Sequence, residues 1–231
     1  MFEQFDFGAI TGSLHYFFMD GMVFTVKLTF LAGLCGFLFG TSLTFLRFAN
    51  IPFLSRAVII YVNFIRSLPL VLFIFWFAFL LPGLWQWAIH SPYPVALNPF
   101  MLAFCTFTLF EAAYFAEIMR AGIQSVSQGQ LSASLALGLT NFQAALFVIL
   151  PQAFRNVLPI LLTQMIALFQ DTTLVYIISL TDFFGAVSKV ALRDGRQVEL
   201  YLFAAFVYFL VSFLSSCAVR KLQKPQKELW V

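Results

Sequence analysis

The residues of this sequence that could do chemistry are polar side chains set inside long apolar stretches. They are Glu111, in the stretch Phe100–Met119, and Gln164, Gln170, Asp171 and Thr172, in the stretch Leu158–Leu180. Gln164 and Asp171 are seven residues apart, so a helix would carry both on one face. Such a face can hydrogen-bond a neighbouring helix or a polar ligand, and both roles are open at this point. Tyr114 of the earlier stretch is a candidate for the same surface.

The sequence offers no constellation for catalysis or metal binding. His15 and His90 are isolated, and neither an HExxH motif nor a paired nucleophile and base is present. The three cysteines lie in apolar runs without CxxC spacing, so we expect buried side chains rather than disulfides or a metal site. No lysine precedes a serine or threonine, which excludes the phosphate-binding loop of ATPases. We therefore predict no catalytic residue, no bound cofactor and no metal.

Composition explains what the apolar stretches are. The chain of 231 residues is 61% hydrophobic and 10% charged, whereas soluble domains carry about 25% charged residues. A helix of about 20 apolar residues spans the hydrocarbon layer and satisfies its own backbone hydrogen bonds there. The stretches are Val23–Phe45, Leu68–Leu81, Phe100–Met119, Leu158–Leu180 and Leu200–Val219. The second reaches this length only if it starts near Val58 and includes Asn63 and Arg66. We predict an all-α integral membrane protein with about five transmembrane helices.

Lysine and arginine near the ends of the stretches predict the orientation. Arg47 and Arg56 lie between the first and second stretches, and Arg120 and Arg155 lie between the third and fourth. A basic tail follows the fifth stretch, and the loop from Leu81 to Pro99 on the opposite side has no lysine or arginine. The last loop, with both basic and acidic residues, breaks this pattern. The balance predicts an N-terminus outside and a C-terminus in the cytoplasm.

The segment between the third and fourth stretches, about residues 121–156, is too long for a simple connection and too periodic for disorder. Leu131, Leu135 and Leu139 recur at every fourth position, which predicts a short amphipathic helix ending near Gly138. A second short helix, from 142 to 150, is expected to stop at Pro151. Two such helices favour either a docking surface for a soluble partner or a helix that lies on the lipid.

The sequence from Gly129 to Pro159 resembles the cytoplasmic loop of ABC-importer permeases. The pattern of that loop is Glu-Ala-Ala, three residues, Gly, nine residues, Ile, one residue and Leu-Pro. Ser132, Ala133 and Ser134 occupy the Glu-Ala-Ala positions, and the later spacing is held by Gly138, Val148, Leu150 and Pro151. The resemblance implies an ATPase-docking loop formed by Gly129, Gln130, Ser132, Ala133, Ser134, Gly138 and Pro151.

Three further segments, Tyr61–Leu70, Ala116–Ile123 and Gln170–Leu174, resemble the polar amino-acid permeases of this class, and nearly the whole chain is similar to permeases of glutamate/aspartate importers. The resemblance implies a type I ABC-importer permease fold, with residues 1–231 forming a single transmembrane permease domain and the N-terminus periplasmic. It implies a location in the bacterial inner (plasma) membrane. The implied partners are a second homologous permease, two copies of an ABC ATPase that bind ATP and Mg, a periplasmic amino-acid-binding protein and membrane lipid, without nucleic acid.

Within such an importer, the polar residues named first are candidates for the lining of the substrate path. They are Tyr114, Gln164, Gln170, Asp171 and Thr172, and helix–helix hydrogen bonding is the alternative. A charge near the bilayer middle, at Glu111, costs about 2.5 kcal/mol or more. Because a bare carboxylate would repel an acidic substrate, we expect Glu111 to be protonated or paired with a residue of the partner permease.

Glu117 and Arg120, three residues apart, are expected to form a local ion pair rather than a functional site.

Two alternatives to an importer subunit can be weighed from the sequence. A secondary carrier would usually need more spans and intramembrane ion ligands arranged in repeats, and the sequence shows none. A membrane enzyme would need a paired nucleophile and base or an HExxH motif, and the sequence contains neither. Both alternatives are therefore disfavoured.

Overall fold

The computed structural model describes residues 8–48, 51–93 and 97–223. The described residues form helices joined by turns, with no strand among them. The α-helices are α1 Gly8–Thr11, α2 Val23–Phe48, α3 Pro52–Arg66, α4 Leu70–Phe75, α5 Leu81–Ala88, α6 Pro99–Gln124, α7 Gln128–Ala136, α8 Asn141–Ala144, α9 Leu150–Asp171, α10 Phe183–Asp194 and α11 Gln197–Gln223. Three π-helical segments, Tyr16–Met22, Trp76–Leu80 and Ala145–Ile149, and one 3-10 segment, Thr172–Ile178, complete the helical structure of the described residues.

Five helical stretches of the described residues are long and apolar enough to cross a membrane. They are Tyr16–Phe48, Leu70–Ala88, Pro99–Gln124, Asn141–Ile178 and Gln197–Leu222. Each contains all or most of a predicted apolar run and extends beyond it, so the helical stretches are longer than the runs. The prediction of an all-α membrane protein with about five spans is confirmed.

The prediction that the second span begins near Val58 is wrong. Helix α3 ends at Arg66, and Pro69 before α4 is extended, with φ −62° and ψ 132°. Proline has no N–H to continue a helix, and it disfavours the helical conformation of the residue before it. The span therefore consists of the 19 residues Leu70–Ala88, and Asn63 belongs to the separate helix α3.

The prediction that a short helix stops at Pro151 is also wrong. One continuous helical stretch runs from Asn141 through Pro151 to Ile178. A proline inside an α-helix removes one hydrogen bond, and its ring meets the carbonyl four residues earlier. Here the π-helical turn Ala145–Ile149 ends two residues before Pro151, and a π turn is a way for a helix to absorb such an irregularity. The proline could be seen in the sequence, but the turn that accommodates it could not.

Close contacts divide the chain into two compact units. The first comprises the described residues of Met1–Leu34, Pro69–Thr108 and Met165–Ala218, and the second comprises those of Cys35–Leu68, Leu109–Gln164 and Val219–Val231. In the first unit, Phe17, Phe183 and Leu200 belong to one buried cluster, and Leu28, Phe107 and Leu168 belong to another. In the second unit, Leu43, Val58, Val62, Ala112 and Ala116 form a buried cluster.

In the second unit, α2 and α6 meet at small residues. A Cβ on Gly40 would lie 2.6 Å from the Ala112 carbonyl oxygen and 2.8 Å from the Ala116 nitrogen. One turn later, the Thr44 hydroxyl lies 3.0 Å from the Gly40 carbonyl oxygen and 2.9 Å from the Ala116 carbonyl oxygen. Small residues that let two backbones approach are typical of helix pairs in membranes. The contact between α2 and α6 therefore depends on the missing side chain of Gly40.

In the first unit, Asp182 fixes the start of α10. Its carboxylate accepts hydrogen bonds from the backbone N–H groups of Gly185 at 2.8 Å and Phe184 at 3.1 Å, as a helix N-cap does. The Thr25 hydroxyl accepts the Phe183 N–H at 3.0 Å and so ties this helix start to α2. Asp182 is fully buried, and burial raises the pKa of its carboxyl to about 6. Asp182 is thus part of the packed structure and not a solvent-exposed charge.

Candidate functional sites

Helix α7 carries most of the residues that the sequence assigned to ATPase docking. Gly129, Gln130, Ser132 and Ala133 are exposed on it, whereas Ser134 is buried. The Ser134 hydroxyl donates to the Leu131 carbonyl at 2.8 Å, which holds this polar group inside the unit. The serine and alanine at positions 132 and 133 are therefore free to meet a partner, and Ser134 serves the helix itself.

The turn after α7 is built around Gly138. The Gly138 N–H donates to the Leu135 carbonyl at 3.0 Å, and the Leu139 N–H donates to the Ser134 carbonyl at 3.2 Å. This pair of bonds is the Schellman ending of a helix, which places its glycine in the left-handed region. Gly138 has a φ of +84°, so a side chain there would be strained. The predicted end of the first short helix near Gly138 agrees with this geometry.

The next helix leaves the turn in a defined direction, because Thr140 and Gln143 form a capping box. The Gln143 N–H donates to the Thr140 hydroxyl, and the Thr140 N–H donates to the Gln143 side chain at 2.9 Å. Leu137 and Phe142, on either side of the turn, are 84% and 74% exposed. We call Leu137, Gly138 and Phe142 the apolar corner. Exposed apolar side chains on an ordered turn suit a contact with another protein or with the membrane surface, the two roles that the sequence left open.

Pro151 does not lie at this corner but further along the continuous helix, where it is exposed. The adjacent Gln152 donates to the Gln130 side chain at 3.3 Å and to the Val148 carbonyl at 3.0 Å. The docking residues predicted from the sequence are thus distributed over α7, the turn and the following helix, and a side-chain hydrogen bond links the two helices.

The intramembrane carboxyl of Glu111 is fully buried in the second unit, and Gln164 lies against it. The Gln164 side-chain amide donates to the two carboxyl oxygens at 3.1 and 3.4 Å. Sequence reasoning named both residues but did not pair them, because 53 residues separate them along the chain. Gln164 therefore supplies a partner within this chain for a group that we expected to be protonated or paired outside it.

The other polar residues of this stretch lie in the first unit. The Gln170 side-chain amide donates to the Ser212 hydroxyl of α11 at 2.9 Å. The Thr172 hydroxyl donates to the Phe169 carbonyl at 2.7 Å, and Asp171 between them is half-buried. For Gln164 and Gln170 the structure shows hydrogen bonds between helices. Helix–helix hydrogen bonding is one of the two roles that the sequence left open, and lining of the substrate path is the other.

Sequence reasoning missed most of the charge cluster around Glu117 in the second unit. It paired Glu117 with Arg120, and this pair is present. The structure adds Arg47 of α2, whose guanidinium lies 3.3 Å from Glu117, and Arg66 of α3, at 4.0 Å. The Arg66 guanidinium also lies 5.5 Å from the ring centre of Tyr114, one of the predicted path residues. The only signal in the sequence was the basic character of the helix ends.

No group of three or more potential metal ligands occurs among residues 8–48, 51–93 and 97–223. The arrangement of polar side chains is therefore one of hydrogen-bonded helix pairs, an ion cluster and an exposed apolar corner. These features suit a membrane subunit that contacts other proteins.

Residues 21–227 match the family described as the inner membrane component of binding-protein-dependent transport systems. The chain belongs to this family. It is therefore a multi-pass inner-membrane permease subunit of an ABC importer, and a separate ATPase chain uses the ATP. The resemblance stated from the sequence, the type I permease fold and the role as a transport subunit rather than an enzyme are confirmed.

Relatives of this permease cover almost its whole length. It is 47% identical over 226 residues to the glutamate/aspartate import permease protein GltK of Escherichia coli O6:H1, across 96% of this chain and 98% of that protein. It is 32% identical to the probable glutamine ABC transporter permease protein GlnP of Bacillus subtilis, across 91% and 94%. As an importer permease it works in general with a partner permease, an ATPase and a substrate-binding protein.

Two solved structures share its fold. A crystal structure of an amino acid ABC transporter with histidines is 28% identical, with a TM-score of 0.85 over 95% of this chain and 98% of that one. An inward-facing structure of the methionine ABC transporter MetNI has a TM-score of 0.66 at 19% identity, over 90% and 97%.

Proposed function

We propose that this permease forms, with a second homologous permease, the membrane path of an importer for glutamate and aspartate. The observation that carries the proposal is the 47% identity to a glutamate/aspartate import permease over 96% of the chain. Identity to a probable glutamine permease and to an L-cystine permease is lower, at 32% and 33%. A periplasmic binding protein delivers the amino acid, and two copies of the ATPase bind ATP and Mg.

In this proposal, residues 121–156 face the cytoplasm and dock one ATPase copy, and the N-terminus is periplasmic. The apolar corner supports the docking role, because Leu137 and Phe142 are largely exposed in the chain alone. The exposed α7 residues Gln130, Ser132 and Ala133 would extend the same contact. The basic residues between the first and second apolar stretches, and between the third and fourth, support this placement of the cytoplasmic side.

Uptake by proteoliposomes that contain both permeases and the ATPase, with the binding protein outside, tests this function. We expect ATP-dependent uptake of L-glutamate and L-aspartate, and little uptake of glutamine or arginine by the same vesicles. Vesicles with a hydrolysis-deficient ATPase are the control. Uptake of glutamine or arginine without glutamate or aspartate would overturn the substrate, and uptake without ATP would indicate a secondary carrier.

We also propose that Gln164, together with Tyr114, Gln170, Asp171 and Thr172, lines the path for the amino acid. Their positions inside two apolar spans, Pro99–Gln124 and Asn141–Ile178, support this role, since a glutamine amide that bonds one helix keeps other polar atoms available. Replacement of Gln164 by Leu is then expected to lower the uptake rate per assembled importer about tenfold, the loss of roughly one charged hydrogen bond to a substrate. The measurement is initial uptake rate against amino-acid concentration.

Two matched variants separate the path from simple packing. Glu111→Gln keeps the size of the side chain and its ability to hydrogen-bond Gln164 but removes the buried carboxyl. Thr163→Val changes an exposed residue next to Gln164 on α9. If Gln164→Leu lowers only thermal stability, and uptake per folded importer stays normal, Gln164 serves Glu111 alone and the path role is wrong.

A further inference from the structure

Three guanidinium groups from three helices converge on one carboxylate in the second unit. Arg47 of α2, Arg66 of α3 and Arg120 of α6 all lie within 4.0 Å of Glu117 of α6. One carboxylate can neutralise one of them, so two positive charges at the cluster are not compensated within it. An ion-pair network that served packing alone would be expected to match its charges, because unpaired charge is costly at a partly buried site.

The hydrogen-bonding capacity of the cluster is also unbalanced. The Arg120 Nε is buried and has no acceptor among the described residues, although the terminal nitrogens of this side chain reach Glu117 and Gln124. The Arg66 guanidinium forms no hydrogen bond with the described residues; the Glu117 carboxylate lies 4.0 Å away, and 40% of the Arg66 side chain is exposed. Guanidinium groups with spare donors in a fork geometry match phosphate oxygens well.

The cluster lies at the ends of candidate membrane spans. Arg47 is the residue before Phe48, the last residue of the first span, and Arg120 lies one turn before the end of the third span at Gln124. Headgroups of phospholipids occupy this depth, directly outside the hydrocarbon layer. Phe48 and Phe64, near the arginines in sequence on α2 and α3, are about half exposed and so offer apolar surface to the chains of a lipid.

We propose that Arg47, Arg66 and Arg120 bind the phosphate of an anionic phospholipid, such as phosphatidylglycerol. The phosphate supplies further acceptors to the partly exposed guanidinium groups, and its negative charge balances one of the two that are uncompensated. Basic pockets between membrane helices are known to bind anionic headgroups by this chemistry. The bound lipid joins α2, α3 and α6 at their ends. This lipid site does not depend on which amino acid the importer carries.

Native mass spectrometry of the assembled importer, titrated with phosphatidylglycerol in detergent, tests the proposal. We expect Arg47→Gln and Arg66→Gln each to weaken phosphatidylglycerol binding about tenfold, as expected for one charge-assisted contact to phosphate. Arg56→Gln is the matched control, because Arg56 is exposed on the same helix as Arg66 but is not part of the cluster. Arg66→Lys keeps the charge and should retain part of the binding.

Three results would overturn the site. Equal weakening by Arg56→Gln would show a diffuse charge effect, and equal binding of phosphatidylcholine would show that the anion is not recognised. Displacement of the lipid by millimolar inorganic phosphate would show a site for a free anion rather than a headgroup. If Arg66→Gln does not assemble, Arg47→Gln and Arg66→Lys give the same readout on intact complexes.

Discussion

Replacement of Leu137 by Glu is expected to abolish ATP-driven uptake almost completely while leaving the chain folded. Leu137 directly follows α7 and is 84% exposed, so in the chain alone the new carboxylate meets water. Exposed substitutions of this kind change stability by about 0.5 kcal/mol or less. In the proposed complex the ATPase covers this position, and an unpaired charge buried at an interface costs about 2–5 kcal/mol. Such a penalty weakens docking about 30-fold or more.

The measurements are the amount of ATPase that copurifies with the permeases and the uptake rate of the reconstituted importer. Gln197→Glu is the control, because it adds the same charge at an exposed residue at the start of α11, where a negative charge suits the helix. Leu137 is a better probe than Gly138, since any side chain at a φ of +84° strains the turn itself. Normal ATPase content with normal uptake in Leu137→Glu would contradict the docking role of the apolar corner.

Replacement of Gly40 by Ala is expected to lower the free energy of unfolding by about 1–3 kcal/mol, the usual cost of overpacking. The new methyl group would meet backbone atoms of Ala112 and Ala116 at 2.6 and 2.8 Å, and backbone cannot rotate away. The helices must separate, which also stretches the 2.9 Å hydrogen bond from Thr44 to the Ala116 carbonyl. Alanine gains about 1 kcal/mol of helix propensity over glycine, but the clash exceeds this gain.

Thermal unfolding of the purified importer in detergent measures the effect. Gly83→Ala is the control, because a Cβ there meets nothing within 4 Å and α5 should become slightly more stable. A Gly40→Ala variant that is as stable as Gly83→Ala would mean that α2 and α6 do not pack as closely as the structure shows.

The number of spans could be predicted from the sequence because the bilayer sets a length that apolar runs must reach. The limits of the spans were less predictable where proline lies near them. Pro69 lies in the break between α3 and α4, whereas Pro151 lies inside the continuous stretch Asn141–Ile178, although each is a proline at the edge of an apolar run. The difference is the π turn Ala145–Ile149, which lets the helix continue through Pro151, just as the π segment Trp76–Leu80 precedes Pro82 within the second span.

The candidate sites also contain residues that local sequence could place and contacts that only the fold brings together. Gly138 could be placed at a helix end from local sequence, because the left-handed conformation at that position favours glycine whatever the rest of the fold does. The partner of Glu111 could not be named, since Gln164 is 53 residues away and no local rule relates them. The pair Glu117 and Arg120 was visible because it lies within one helical turn, but Arg47 and Arg66 were not.

By itself, the sequence determined that this chain is a helical membrane permease, because apolar length and short motifs report on local structure and on the solvent that surrounds it. Only the tertiary structure decided which polar groups meet. It paired Glu111 with Gln164, brought three arginines to Glu117 and left Leu137 and Phe142 uncovered at one corner. These outcomes depend on helix packing, in which residues far apart in sequence come within the few ångströms over which hydrogen bonds and ion pairs act.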